Sequence, residues 1–451
     1  MRFGKIIVIY IILLLLTLIF SEQAIIDYGY WTYLIQLAAV TIFIYKKNNN
    51  YLYFFSPAFL ALAYLNLSFF GGHGLLVVGS EFVTKYHDAF NGYSSVKFIT
   101  VFFTLCNLVV SLTISEIKLD EYHEKPVIQN FNIFRLIALL LFLIIFSSFK
   151  IDLALIGGRG DFSYVFKLAI SIFIIITVKQ LKIIWRIISY LIMLSLFVIG
   201  SFDSKREILF VFILIVFYEI VSHRLVIKFR FKQVLLIIAA FTSVFYIIII
   251  SSIMRGYGNF NVEDPLEAST HVIEYVTSDY AVFALSANFE IFTVYGNSSN
   301  ALNYVYNEEV DLLYGSTFAK VLFVPIPRSV FPDKPESMVN IYTQKFQPSF
   351  RGIGGSLPVV IYGEVFWNFH IFGLIFLFIL FKVVHQFYKR LVLSVVNGDT
   401  LDSWINIFYL FLYATFIQFV RGAGLELWLL YAAITIPFVV VLNNVFKNST
   451  N

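Results

Sequence analysis

Residues 357–381 read LPVVIYGEVFWNFHIFGLIFLFILF, a stretch whose only acidic or basic side chains are Glu364 and His370. A soluble helix of that length needs a polar face, and this stretch has none. It exceeds the ~20 apolar residues that carry a helix across a bilayer, so it predicts a membrane span. The remainder of the 451 residues agrees: 59% are hydrophobic, 13% charged, and the mean hydropathy is +0.83. Soluble domains run near ~45–50% apolar and ~25% charged.

Apolar runs bounded by charged or Gly/Pro/Asn clusters fall near 5–20, 24–45, 51–70, 97–115, 133–148, 162–178, 183–199, 207–221, 234–253, 357–381, 403–420 and 425–446. They predict an all-α polytopic membrane protein of about twelve transmembrane helices. With the N-terminus in the cytoplasm, Lys/Arg in short connections divide 18 inside against 8 outside, the asymmetry that sets orientation. Both termini are then cytoplasmic. Arg2 and Lys5 followed by Ile6–Phe20 resemble a signal peptide without a small-residue cleavage site, which reads as a retained first helix.

The chain divides into 1–253, holding nine spans, an extracytoplasmic loop at 254–356, and 357–451 with three spans and a short cytoplasmic tail. Within the loop, Asp264-Pro265-Leu266-Glu267 has the order of an N-cap, a proline at the first helical position and a capping carboxylate, predicting a helix towards Tyr295. A second short helix is predicted from Ser316 to Val324, stopped by Pro325 and Pro327, its apolar residues placing it on or in the bilayer surface. The loop is expected to fold against the helical bundle.

The formal charge of +4 and the lack of a long basic run interleaved with aromatics argue against nucleic acid as a partner. The single cysteine, Cys106, excludes an intrachain disulfide and a thiolate metal site. The seven histidines form no HExxH or close His/Asp cluster, so no metal or cofactor is expected, although His73 in GGHG and His271 are candidate bases. Arg159-Gly160-Asp161 and the glycine-rich fragments at 71–74 and 352–355 lack the context that would give such short motifs meaning, and Asn297-Ser298-Ser299 is a glycosylation sequon only in a cell with that machinery.

The outward arginines do call for an explanation. Arg159, Arg206, Arg255, Arg328, Arg351 and Arg421 mostly stand beside Gly or Pro at predicted span edges, and the long loop carries six Lys/Arg against eleven Asp/Glu, so it is not a basic face. Each arginine alone is accounted for by snorkelling or a nearby carboxylate. Together they suit phosphate oxygens, which a guanidinium fork holds bidentately. Glu364 lies inside the tenth span with Asn368 four residues on and on the same helical face. Intramembrane insertion of a carboxylate costs ~2.5–3.5 kcal/mol, which makes it a functional candidate. It is read either as the partner of an outer arginine such as Arg421 or as a general base on a hydroxyl nucleophile.

Four stretches, GGRGDF (157–162), GSFDSKRE (200–207), GSTFAKVLFVPIPRSVFPDKPES (315–337) and RGIGGSLPVVIYGEVFWNFHIFG (351–373), together with the span pattern, give a chain that resembles the Wzy-type O-antigen polymerases of bacterial inner membranes. The resemblance implies a metal-independent glycosyltransferase with a GT-C-like fold, acting at the outer face. Its substrate would be an undecaprenyl-pyrophosphate-linked oligosaccharide, and a chain-length-determining copolymerase a further partner. By the same resemblance Arg159, Arg255, Arg328, Arg351 and Arg206 hold pyrophosphate or acceptor groups. With the residues read above from the sequence itself, the expected catalytic set is Arg328, Glu364 and Arg255, and Arg421 and Asn368 join substrate binding. The paired Arg-x10-Gly loop motifs of some members are not evident, since ten residues on from Arg255 the next position is Leu266. An O-antigen ligase, or a lipid-linked oligosaccharide flippase or other transporter, are the alternative readings.

Overall fold

The computed structural model describes residues 4–78, 95–117, 133–148, 163–179, 181–200, 205–228, 264–278, 291–323, 330–352, 354–400 and 403–448, with scattered positions between 235 and 262 and Ile326. Among the described residues the regular elements are all helical. α1 (Gly4–Ile19), α2 (Glu22–Tyr28), α3 (Tyr30–Tyr45), α4 (Tyr51–Phe54) and α5 (Pro57–Val78) come first, then α6 (Val96–Leu112), α7 (Ile133–Ser148), α8 (Ser163–Val178), α9 (Ile183–Gly200) and α10 (Lys205–Ser222). The segment read as a loop carries α11 (Pro265–Thr270), α12 (Val272–Thr277), α13 (Ile291–Tyr306), α14 (Ser316–Phe323), α15 (Met338–Phe346) and α16 (Pro348–Gly352). α17 (Ile361–Phe369), α18 (Gly373–Asn397), α19 (Trp404–Gln418) and α20 (Leu425–Asn448) complete the chain.

Among the described residues four helical stretches, Pro57–Leu75, Ile361–Asn397, Trp404–Gly422 and Leu425–Val445, are long and apolar enough to cross a membrane, and α1, α3, α6, α7, α8, most of α9 and Phe210–Ser222 are shorter apolar helices. This is a membrane protein by the physics of its surface as well as its helix lengths. Ile19, Phe134 and Leu191 are 76%, 78% and 61% exposed, on the outward faces of α1, α7 and α9, where water would penalise them and acyl chains do not. α8 is the opposite case: nearly all its residues are buried, because α7, α9, α10, α19 and α20 surround it.

Several expected boundaries move. The run at 24–45 is two helices that part at Gly29, with Ser21 capping the first by accepting from Ala24 N–H. The run at 51–70 starts as one turn, α4, and resumes at Pro57, which serves as a first helical residue because it has no N–H to satisfy. The run at 234–253 lies mostly outside the described residues. α18 continues past the apolar stretch to Asn397, through Lys382, His385, Lys389 and Arg390, and stops only at Gly398 with φ 75°.

In the long segment, Asp264 caps α11 as expected, accepting from Leu266 N–H at 3.1 Å, and α14 begins at Ser316. The single helix expected from 264 to about 295 is interrupted at His271, between α11 and α12; residues 279–290 lie outside the described residues, and α13 is described from Ile291. α13 is not a surface element: Val294, Tyr295, Asn297, Ser298 and Ala301 are buried because it packs against α5 and α17.

Candidate functional site

The site is built around α17, which is severed from α18 by a 3₁₀ turn at His370–Phe372. His370 takes φ 52°, a conformation uncommon outside glycine. Two contacts hold this break. Trp367 gives its carbonyl to Leu313 N–H at 3.0 Å and its indole N–H to the Asp311 carbonyl at 3.0 Å. Gly373 lies so close to the α17 backbone that a Cβ there would come within 2.5 Å of the Val365 carbonyl oxygen. α17 is therefore a half-helix with its own orientation, the kind of discontinuity that membrane proteins place at binding sites.

Its beginning is fastened by α13 and α15. Asn297 donates to the Pro358 carbonyl at 3.0 Å, and Val360 N–H donates to the Ser298 hydroxyl at 3.1 Å. Tyr342 donates to Asn297 Oδ1 and accepts from Asn300, each at 3.3 Å, and Leu357 N–H donates to the Thr343 hydroxyl at 2.8 Å. Burial raises the Tyr342 phenol well above its ordinary range, so it remains a donor. Asn297, the residue of the sequon, is 2% exposed with its amide nitrogen occupied, so the folded chain offers no glycosylation site there.

Glu364 sits in the first turn of α17 and is 1% exposed. Its Oε1 accepts the Thr317 hydroxyl of α14 at 2.7 Å. Asn368, also 1% exposed, donates from Nδ2 to Thr317 Oγ1 at 2.9 Å and to the Glu364 carbonyl at 2.8 Å. Three residues along α14, Lys320 pairs at 3.2 Å with Glu426 in the first turn of α20, their side chains 15% and 8% exposed. Glu426 and Lys320 both lie within electrostatic range of Glu364. Thr317, Lys320 and Glu426 were not among the residues singled out from the sequence. Glu426, five residues beyond Arg421 at the edge of an apolar run, was the one with a visible signal.

Between α19 and α20 the chain makes one π-type turn, Phe419–Ala423, carrying Arg421, a partly buried residue. Gly422 within it has φ 116°, and a Cβ would lie 2.3 Å from the Val359 carbonyl oxygen, so the turn rests directly on the strand-like lead into α17. The turn that bears Arg421 thus packs on α17, but the partner of Glu364 is Thr317 and the charges in range of it are Glu426 and Lys320, not the outer arginine expected from the sequence. Arg351 is in the last turn of α16, partly exposed, and α16 packs on α15, which reaches the same turn. Arg159, Arg255 and Arg328 lie outside the described residues, as does the side chain of Arg206 near the start of α10.

The two histidines read as candidate bases fall elsewhere. His73 is buried in α5, its Nε2–H donating to the Ile26 carbonyl at 2.9 Å and its ring stacked on Tyr295. His271 is a surface residue 3.4 Å from Glu274. Among the described residues no three His, Cys, Asp or Glu side chains gather as metal ligands would. No family model, curated protein or solved structure matches this chain.

Proposed function

We propose that this protein is an O-antigen polymerase of a bacterial inner membrane, a GT-C-like glycosyltransferase with about twelve spans and both termini cytoplasmic, joining undecaprenyl-pyrophosphate-linked oligosaccharide units at the periplasmic face. One observation carries the reading. The two stretches most like that family, 315–337 and 351–373, meet through the Thr317–Glu364–Asn368 hydrogen bonds, beside the glycine turn that bears Arg421. A buried carboxylate, hydroxyl and amide is a set suited to a sugar hydroxyl, with Lys320 the cation in electrostatic range of the carboxylate.

In the proposed reaction the anomeric carbon–oxygen bond to the donor pyrophosphate breaks, and a bond forms from that carbon to a hydroxyl of the acceptor sugar. The hydroxyl proton passes to Glu364, and undecaprenyl pyrophosphate leaves. Negative charge grows on the leaving group, so fixed guanidinium groups stabilise the transition state more than the ground state. Arg255, Arg328, Arg159, Arg206, Arg351 and Arg421 are the proposed donors. A chain-length-determining copolymerase is the proposed protein partner.

The test is gene deletion with the lipopolysaccharide ladder as readout, complemented by wild type, Glu364→Gln and Arg328→Ala. Loss of a polymerase collapses the ladder to one attached repeat, and Glu364→Gln at normal membrane level restores it poorly. Free polymerised chains would assign a ligase, and lipid-linked units trapped inside a transporter. An unchanged ladder would end the proposal.

A further inference from the structure

On the face of α17 turned away from α14 lies a second polar cluster, made wholly of uncharged groups. Asn107 of α6 donates from Nδ2 to Gln36 Oε1 of α3 at 2.7 Å and to Asn66 Oδ1 of α5 at 2.9 Å. Its Oδ1 accepts the Tyr362 hydroxyl of α17 at 2.9 Å. Gln36 donates onward to Thr104 at 2.9 Å, and Asn66 to its own helix at Leu62. All five residues are at most 1% exposed. Every polar atom of the Asn107 side chain is engaged, so four helices are joined at one amide.

Tyr362 and Glu364 are two positions apart on a helix, about 200° around its axis. The faces separate accordingly. Phe366, one turn from Tyr362, packs on Phe98 and Phe102 of α6, whereas Asn368, one turn from Glu364, bonds Thr317 of α14. α17 does not inherit its roll from α18, because the chain is interrupted at His370. Side-chain tips lie about 5–6 Å from a helix axis, so a roll of about 20° carries the Glu364 carboxyl roughly 2 Å. That is enough to lose the 2.7 Å contact with Thr317, and displacement of about 1 Å at a reacting group can lower turnover about 10²-fold.

We infer that Asn107 and Tyr362 are positioning residues: their hydrogen bond sets the roll of α17 and so aims Glu364. The inference rests on Glu364 being the working carboxylate of the proposed reaction, but its test does not need that reaction. Purified protein in nanodiscs is compared as wild type, Tyr362→Phe, Asn107→Leu and Tyr388→Phe. The last removes an equally buried hydroxyl, bonded to the Leu52 carbonyl at 3.0 Å, from α18. The infrared carboxyl band of Glu364, assigned by difference against Glu364→Gln, reports its hydrogen bonding directly.

The expected result is a shifted Glu364 band in Tyr362→Phe and Asn107→Leu and an unmoved one in Tyr388→Phe. With polymerisation assayed on lipid-linked repeat units, Tyr362→Phe lowers kcat by about tenfold or more with KM little changed. Should Asn107→Leu fail to fold, Tyr362→Phe alone decides. An unmoved band in Tyr362→Phe, or an equal shift in Tyr388→Phe, overturns the positioning role. If wild type polymerises nothing while the band still shifts, the polymerase reading falls and the positioning stands.

Discussion

Replacing Lys320 by Met leaves Glu426 buried without its counter-charge. At the observed 3.2 Å and an effective dielectric constant of about 20, two unit charges attract by about 5 kcal/mol. Desolvation of two groups this enclosed offsets much of that attraction, so the net worth of the pair is small, yet removing one partner alone is expensive. Lys320→Met is therefore expected to lower the unfolding free energy by about 3–5 kcal/mol, the more so because Glu364 lies in electrostatic range of the stranded carboxylate. Lys320→Met with Glu426→Leu removes both charges and is expected within about 1 kcal/mol of wild type. Reversible unfolding in SDS micelles, followed by tryptophan fluorescence, gives the free energies of wild type, Lys320→Met, Glu426→Leu and the double variant. The double-mutant cycle then isolates the coupling. A loss under about 1 kcal/mol for Lys320→Met, or a double variant equal to the sum of the singles, would show that the two charges are not coupled as the distance requires. If the double variant folds normally but makes no polymer, the pair serves the chemistry and not the fold.

Two further perturbations address the turn and the opposite end of the bundle. Gly422→Ala forces a Cβ against the Val359 carbonyl at φ 116°, a strain of about 1–3 kcal/mol before any backbone shift; it should destabilise the protein and reduce polymer length, whereas Gly352→Ala, with open space around its Cβ, should change neither. His223 accepts from Arg186 at 2.6 Å, and its pKa is lowered by burial first and then by the Arg186 and Lys179 charges, with Glu219 opposing. The neutral ring is the folded form, so this stabilisation is present above about pH 6.5, the ordinary histidine value, and is lost as pH falls through the lower folded value. Unfolding measured from pH 7.5 down to 5.5, in about half-unit steps, should weaken more for wild type than for His223→Gln; parallel curves would refute it.

Hydropathy located the bundle well and its interruptions poorly. An apolar run reports where lipid or core is tolerated, and the start of α6 at Val96 follows directly from it. It does not report where a helix breaks when both sides of the break are apolar. The division of 357–381 at His370 depends on Leu313 and Asp311 reaching Trp367 from more than fifty residues away. Conversely, the apolar run ends at Phe381 because Lys382, Lys389 and Arg390 are charged, although nothing in those residues interrupts a helix.

The site was legible in part for the same reason. Glu364 and Asn368 were visible as polar groups in an apolar helix, where their cost marks them. Gln36, Asn66 and Asn107 carry the same signal, spread over three runs, and only the packing of α3, α5 and α6 shows that they form one cluster. Thr317 and Lys320 lie in an amphipathic segment where hydroxyls and lysines are ordinary, and their significance comes from what α17 and α20 bring to them.

α13 has a consequence for how the protein is made. Its Asn297, Ser298, Ser299, Asn300 and Asn303 give it little tendency to enter lipid unaided, yet it is buried against α5, already synthesised, and α17, which emerges some sixty residues later. The ribosome therefore releases α13 before its final neighbourhood exists. The helices on either side can be threaded into the membrane one at a time, but α13 has to wait and be seated afterwards, so assembly of the site is a separate, late event in biogenesis. Chains cut before α17 should keep their early spans and still leave α13 open to protease.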